Sequence, residues 1–544
     1  MVLIPARAAA CGGLFCSGGG TQVVNQVAER ILFVKRPDGR TTAVVEIQYQ
    51  GPAPDFAWVL PVPGTPEVGV SSTVAFDRLQ QRTNPSYRLA VRGNACSPVP
   101  TASGCAVPAS SGGAGGATVD AGVAFEGTDP VTIVDRGTVG PYDYVTLSVQ
   151  PEMEDPADVA VEWLEANDYD VTALGPEVLR PYLVMGMNLM AFRLTKGSDT
   201  GSIRPLMLTY ESEQPMIPIR PTAVAAERDM GILVWVTGPS RALPATYRHL
   251  VLNEAALDWR AIGTSYARYV GNAANEAGGH GFVTEYAAPT EALPPAPELP
   301  MELRDPEAWG GLGDAEAIEQ VLRMLNNAFS RVFGVEGVQD VIEDYVPLPP
   351  DVDARSVLFC ATCVLDPGRL EGFDLAAFLA ALDAEVLAPV VEFEALLAEQ
   401  PYLTRLFTTL SPEEMTVDPE FAFATGLPDA SNLHDATLTQ SCRGGVTAQT
   451  VQLEDGTVVR MPLDNQPWED ELPYVLREEQ LEADGTLSVR LDNEAAAADV
   501  VAAHNASIRS QLPSDEGCGA MPLTTAPPLL ALCLVQLRAR RRRR

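Results

Sequence analysis

Lysine is nearly absent from this chain: Lys35 and Lys196 are the only two among 544 residues. With lysine and arginine at 37 against 72 acidic residues, the formal net charge is −35. Setting aside Arg7 and the terminal run Arg538 and Arg540 to Arg544 leaves a body that is more acidic still. Such a surface repels phosphate backbones, so nucleic acid is excluded as a partner of the body. The missing lysines point to a genome that favours arginine codons rather than to a function. Histidine is scarce too. His249, His280, His434 and His504 are the full set, and none stands at a paired H-x-x-x-H spacing. The single C-x-x-C has no second pair to complete a tetrahedral zinc site, and Asp351-Val-Asp353 lacks the other oxygen ligands of an EF-hand loop. No Walker loop follows a strand, since Gly112, Gly113, Gly115 and Gly116 lie in low-complexity sequence, and no G-x-S-x-G elbow is present. We therefore nominate no catalytic residue, metal or cofactor. Long hydrophobic runs are missing as well: the strongest, Ala526 to Leu537, has 12 residues where a permanent membrane span wants roughly 20.

What is present is a globular composition, 46% apolar and 20% charged, in a chain long enough for more than one core. At the start, Ala8-Ala9-Ala10 precedes Cys11 with the small-residue pattern of a signal peptidase site, but a full hydrophobic region is lacking. The expectation is that residues 1–10 are a signal-peptide remnant and that translation begins upstream. Cysteine usage agrees with export. Cys11 with Cys16, Cys96 with Cys105, and Cys360 with Cys363 fall in close pairs, which an oxidising compartment turns into local disulfides. Cys442 is left alone or takes a partner from the Cys360 and Cys363 pair. A C-x-x-C can also be a redox dithiol, but Pro367 and Gly368 oppose an immediate helix after it, so a structural bridge is favoured.

Periodicity predicts an α+β fold: a strand-rich N-terminal domain with inserted helices (11–290), a mostly helical region after a Pro-rich crossing (301–440), a small β region (441–512) and a tail (513–544). Val45, Ile47 and Tyr49 alternate with Glu46, Gln48 and Gln50, which reads as a strand with one wet face. Short strand runs recur at "VTIVDR", "YVTLSV", "LMAFRL", "PLMLTY" and "GILVWV". Asp155 caps a helix that opens on Pro156, and another helix stops at Gly278. "AAPTEALPPAPELP" reads as an extended crossing over the surface, and 99–122 as a flexible insertion pinned by Cys96 and Cys105. Ile318, Val321, Leu322, Leu325 and Phe329 recur at helical spacing, as do Leu375, Phe378, Leu379, Leu382 and Val386, with Pro389 expected to kink or end that second helix. Asp455-Gly456 signals a hairpin. The stretches "PDFAWVLPVP" and "EQPMIPIRPTAV" interleave proline with apolar residues. Edge strands and turns are the preferred reading, with the lining of a partner-binding groove as the other.

Several stretches resemble the bacterial family catalogued as domain of unknown function 2330: "CGGLFC", "IQYQGPAPDFAWVLPVP", "SEQPMIPIRPTAVAAERDMGILVWV", "GFVTEY" and "PYLTRLFTTLSPEEMTVDPEF". The resemblance implies an exported bacterial protein and carries no assigned catalytic residue. The tail, with Gly517-Cys518, an apolar segment and Arg540, Arg541, Arg542, Arg543 and Arg544, resembles a myxobacterial-type C-terminal sorting signal. Terminal arginines resist translocation, so an exporting chain halts with Cys518 just outside and the tail held, transiently or permanently, in the membrane. The expected role is non-catalytic, in binding or structure at the cell envelope or surface, with an envelope or extracellular partner. The alternative is a secreted enzyme, either a thiol-disulfide oxidoreductase using Cys360 and Cys363 or a hydrolase.

Overall fold

The computed structural model describes residues 14–15, 25–50, 57–96, 131–167, 169, 175–194, 204–309, 311–329, 335, 337–443, 446–463 and 472–512. The 99–122 insertion, residues 1–10, the tail from 513 onward, and with them Cys11, Cys16, Cys105, Cys518 and Arg540 to Arg544, lie outside the described residues.

A ten-stranded sheet forms the spine. Its order is Leu487–Asp492, Val475–Leu481, Arg248–Leu252, Gly281–Pro289, Tyr402–Leu410, Ala226–Gly238, Asn25–Lys35, Arg40–Gln50, Leu206–Glu211, Glu67–Val70. Two of its pairings are parallel, Ala226–Gly238 with Asn25–Lys35 and Arg248–Leu252 with Gly281–Pro289; the helix Ile262–Glu276 makes the crossover of the second. A two-residue period divides each central strand between two cores. Leu32, Val34, Leu233 and Trp235 face the helices Thr73–Thr83 and Asp314–Phe329 and the helical stretch 375–398. Ile31, Phe33, Ile232, Val234 and Val236 face a second, five-stranded antiparallel sheet through Trp58, Met190 and Phe192. The architecture is α+β, as the periodicity predicts, and all five quoted strand runs are strands. Asp155 caps Pro156–Ala166 by accepting from the Asp158 N–H, and the Asp455-Gly456 hairpin forms with Gly456 at φ +89°.

Three expectations are corrected. The helical region ends at Ala398 rather than 440, because Tyr402–Leu410 enters the centre of the large sheet and Leu433–Arg443 pairs in parallel with Ser86–Gly93. The 441–512 segment is not separate: Val475–Leu481 continues the same sheet by pairing with Arg248–Leu252. The wet face assigned to residues 46–50 is covered at Glu46, which the helix Thr73–Thr83 seals; its carboxylate accepts from Arg30 and from the Thr73 hydroxyl at 2.6 Å. Polar periodicity marks that face correctly as polar, and the cover comes from a helix some 30 residues later in sequence. The interruption expected at Pro389 is present: the regular helix Leu375–Leu382 gives way directly before it. The chain passes through a π turn, Asp383–Leu387, and restarts as Ala388–Ala398 with Pro389 in its first turn, where a missing N–H costs nothing.

Candidate binding site

Successive alternate residues on three neighbouring strands make the floor of a cavity of about 410 Å³. Glu29, Ile31 and Phe33 come from Asn25–Lys35, Ala43 and Val45 from Arg40–Gln50, and Leu208 and Tyr210 from Leu206–Glu211. The register sets Phe33 opposite Ala43 and Ala43 opposite Leu208, so the apolar row is continuous across the strands. At roughly 3.3 Å per residue the floor runs about 13 Å from Glu29 to Phe33. One wall is "LPVP", Leu60 to Pro63, at the end of the Ala57–Val62 strand, with Met187 beside it. The other side is the segment Ser212 to Pro218.

Both Pro-rich segments thus face the same space, which favours the groove reading over the edge-strand one. Ala57–Val62 pairs on both sides, with Leu14–Phe15 and Asn188–Leu194, and its proline lies close to the strand end. The Ser212 to Pro218 segment is held from outside the cavity. Ile217 N–H donates to the Pro419 carbonyl and Phe421 N–H to the Pro215 carbonyl, each at 2.9 Å. The Asp418 carboxyl oxygen accepts from the Tyr182 hydroxyl at 2.7 Å and from the Ile219 N–H at 2.9 Å. Burial pushes the Asp418 carboxyl up, and burial together with the Asp418 charge pushes the Tyr182 phenol far up, which keeps it a donor.

The lining is mostly apolar, with a few polar side chains among it. Ser212 Oγ donates to the Gln214 carbonyl at 2.6 Å, while desolvation raises the Tyr210 phenol and leaves it neutral. A volume of a few hundred cubic ångströms, mostly apolar walls and a few polar groups describe a small-molecule pocket. A second cavity of about 480 Å³ lies between Leu252 to Ala255, the Asp455 hairpin and the helix Glu494–Gln511.

The cysteines resolve differently from their spacing. Cys96 bonds Cys442 across 346 residues, so neither the local Cys96 and Cys105 pairing nor a Cys442 bond to the Cys360 pair holds. The cause is topological: Ser86–Gly93 and Leu433–Arg443 pair in parallel, with Gly93 opposite Gln440, and deliver the two thiols together. Cys360 does bond Cys363. The pair lies inside the helix Ala354–Val364, not in a loop, where Cys360 departs from helical geometry at φ −162° and ψ 91°. Cys363 is exposed, in an open cleft that also holds Asp353, Arg355 and Phe359. A helix C-terminus disfavours a thiolate, and so does Glu319, whose carboxylate lies 4.0 Å from Cys360 Sγ. Hydrogen bonds from Thr362 and the charge of Arg323 hold that carboxyl below its usual range. The site is poorly suited to dithiol catalysis.

Other polar residues singled out by the sequence are satisfied structurally. Asp353 caps its helix at the Ser356 N–H, 2.7 Å away. His249 meets Glu479 at 2.9 Å, His280 the Glu414 carbonyl at 3.0 Å, His434 Glu254 at 2.6 Å and His504 the Arg460 carbonyl at 2.7 Å. Among the described residues no cluster of three or more His, Cys, Asp or Glu could hold a metal ion, and no helix is long and apolar enough to cross a membrane.

Residues 5–421 match the family described as an uncharacterized protein conserved in bacteria, DUF2330. The chain belongs to this family. No curated protein and no solved structure matches it. Every lining residue of the 410 Å³ cavity, from Glu29 to Glu420, falls within the family region, whereas the 480 Å³ cavity draws on Leu453 to Val501 beyond it. Glu29 and Tyr210 had no sequence signal as site residues. Alternation alone predicts which face of a strand they occupy, not that a cavity lies above it.

Proposed function

We propose that the protein is an exported binding protein of the cell envelope or surface whose DUF2330 region holds a small, largely apolar molecule between the large sheet and the "LPVP" and Ser212 to Pro218 segments. The observation that carries this reading is the 410 Å³ cavity itself, lined chiefly by Ile31, Phe33, Val45, Leu60, Val62 and Leu208 and lying wholly inside the family region. Export is supported by two disulfides in the described residues, which persist in oxidising compartments, and by the order of cysteine, apolar segment and arginine cluster in the tail.

The test is titration of the full chain with an environment-sensitive apolar dye, beside an Ala43→Leu variant. Ala43 is buried on the cavity floor, so the larger side chain occupies ligand space. Saturable binding lost in a folded Ala43→Leu protein supports the reading; no binding, or binding untouched by the substitution, overturns it. Thiol trapping and mapping of the mature termini in fractionated native cells tests location. A cytosolic chain with reduced cysteines overturns export.

A further inference from the structure

The Cys360–Cys363 bond and a regular helix exclude each other. Residues three apart on an α-helix hold their Cβ atoms about 5–6 Å apart, whereas a disulfide needs about 3.5–4.5 Å. Within Ala354–Val364 the difference is met at one residue, Cys360, whose backbone is extended rather than helical. An extended residue advances the chain about 3.3 Å and a helical one about 1.5 Å, so Cys360 lengthens this element by roughly 2 Å and interrupts its hydrogen bonding. The neighbouring helix Asp314–Phe329 receives what the interruption frees. An unbroken helix directs the Thr362 N–H at the Leu358 carbonyl; here it donates to Glu319 Oε2 at 3.0 Å, and the Thr362 hydroxyl donates to the same oxygen. Arg323 fixes Glu319 in turn, 2.8 Å away on the same helix. Both sides of the kink are anchored: Val357 and Leu358 before it, and Ala361 and Leu365 after it, are buried in one core with Ile318 and Leu322. Phe359 stands between these anchors and is 83% exposed, more than any other large apolar residue among those described. It borders both clefts that flank the helix, of about 380 and 270 Å³.

We propose that this bridge is a redox switch. An external dithiol opens it, Cys360 joins the helix, the Thr362 N–H passes from Glu319 to the Leu358 carbonyl, and the surface around Phe359 changes shape. The exchange balances: the dithiol's two sulfurs become a disulfide, the Cys360–Cys363 bond breaks, and the two thiols formed take up two electrons and two protons. Cys363 is exposed in the open cleft, within reach of such a reductant. Glu319 stabilises the bridged form, because it caps an N–H that the kink frees and its charge disfavours a thiolate at Cys360. The role is regulatory, not the dithiol catalysis for which the site is unsuited, and it does not depend on the reading of the 410 Å³ cavity.

The experiment is hydrogen exchange of the full chain, read by mass spectrometry, in the parent and in a Cys360→Ala, Cys363→Ala variant that lacks this bridge and keeps the Cys96–Cys442 bond. Amides 361–363 should exchange about tenfold more slowly without the bridge, as regained helical hydrogen bonds imply. Glu319→Ala should speed Thr362 exchange about tenfold in the parent and leave it unchanged in the bridge-free protein. Equal exchange with and without the bridge, or an equal effect of Glu319→Ala in both, overturns the switch. A Phe359→Trp reporter should shift its emission between the two forms; an unchanged spectrum overturns the change of surface. Equilibration with a dithiothreitol redox buffer at about pH 6.5, where both thiols are protonated, supplies the redox readout, with thiols located by alkylation and peptide mapping. Glu319→Ala should open the Cys360–Cys363 bond at a several-fold lower ratio of reduced to oxidised dithiol than the parent requires. An unchanged or higher ratio overturns the coupling of Glu319 to the bridge.

Discussion

Arg405 donates through Nε to Glu285 at 2.6 Å, with the two side chains only 5% and 1% exposed. The same guanidinium bonds the Thr83 hydroxyl at 3.1 Å and Asn84 Oδ1 at 2.8 Å, at the end of the helix Thr73–Thr83. Trp235 Nε1 donates to Thr83 at 3.0 Å, and Arg30 joins Glu46 to Asp77. The central sheet is therefore tied to its covering helix by buried charges. That helix stands on the opposite face of the sheet from the cavity.

Removing one partner of this pair strands the other without water. Arg405→Met is expected to cost about 3–5 kcal/mol, and Glu285→Gln less because the amide oxygen still accepts. Urea unfolding midpoints measure both. Equal stability of Arg405→Met and the parent would show that the pair is not buried as described.

The two disulfides should contribute very unequally. Loop-closure entropy gives roughly 5–6 kcal/mol for a link spanning 346 residues and roughly 2 kcal/mol for one spanning three. Cys442→Ser should therefore lower the denaturation midpoint well beyond Cys363→Ser. The reverse order would mean that loop-closure entropy does not set the relative contribution of the two bonds.

Stability should fall as pH drops below about 6.5. Burial is the largest influence on His249 and pushes its pKa below the ordinary 6.5, so the folded ring stays neutral and donates Nδ1–H to Glu479. In the unfolded chain the ring binds its proton near the ordinary value, so the unfolded state gains protons first as pH falls. Glu479 acts in the same sense lower down, because its bond from His249 depresses its pKa, and stability is lost as pH falls from its ordinary value through that depressed one. Comparing unfolding free energies at pH 7.5 and 5.0 for the parent and His249→Gln checks this; the parent should lose more. Equal losses would remove His249 as the cause.

Asp418 should govern the cavity without touching a ligand. Asp418→Ala removes the acceptor for Tyr182 and Ile219 and should weaken dye binding several-fold by loosening Ser212 to Pro218. Asp418→Asn keeps an acceptor of the same shape. Because burial raises the Asp418 pKa, the fold disfavours the ionised form and stability is lost as pH rises from the ordinary carboxyl value through the raised one, so the asparagine should be neutral or stabilising at pH 7 and retain binding. Loss of binding in both variants would point to a role for the charge itself.

Local regularities gave away much of this protein. Alternation at Val45 and Ile47, the cap at Asp155, the hairpin at Gly456 and the helical spacing of Ile318 to Leu325 depend on residues a few positions apart, and each element formed where its pattern lay. The family resemblance was likewise legible in contiguous segments. Tertiary structure alone decided what covers each face: that Glu46 lies under a helix, that Tyr402–Leu410 fills the middle of a sheet begun near the N-terminus, and that Cys96 meets Cys442. The cavity belongs to this second class, since Glu29, Leu60, Met187, Tyr210 and Glu420 come from five distant parts of the chain. A side-chain period fixes direction within one strand, but which strands become neighbours depends on burial and pairing summed over the whole molecule, and no short stretch contains that sum.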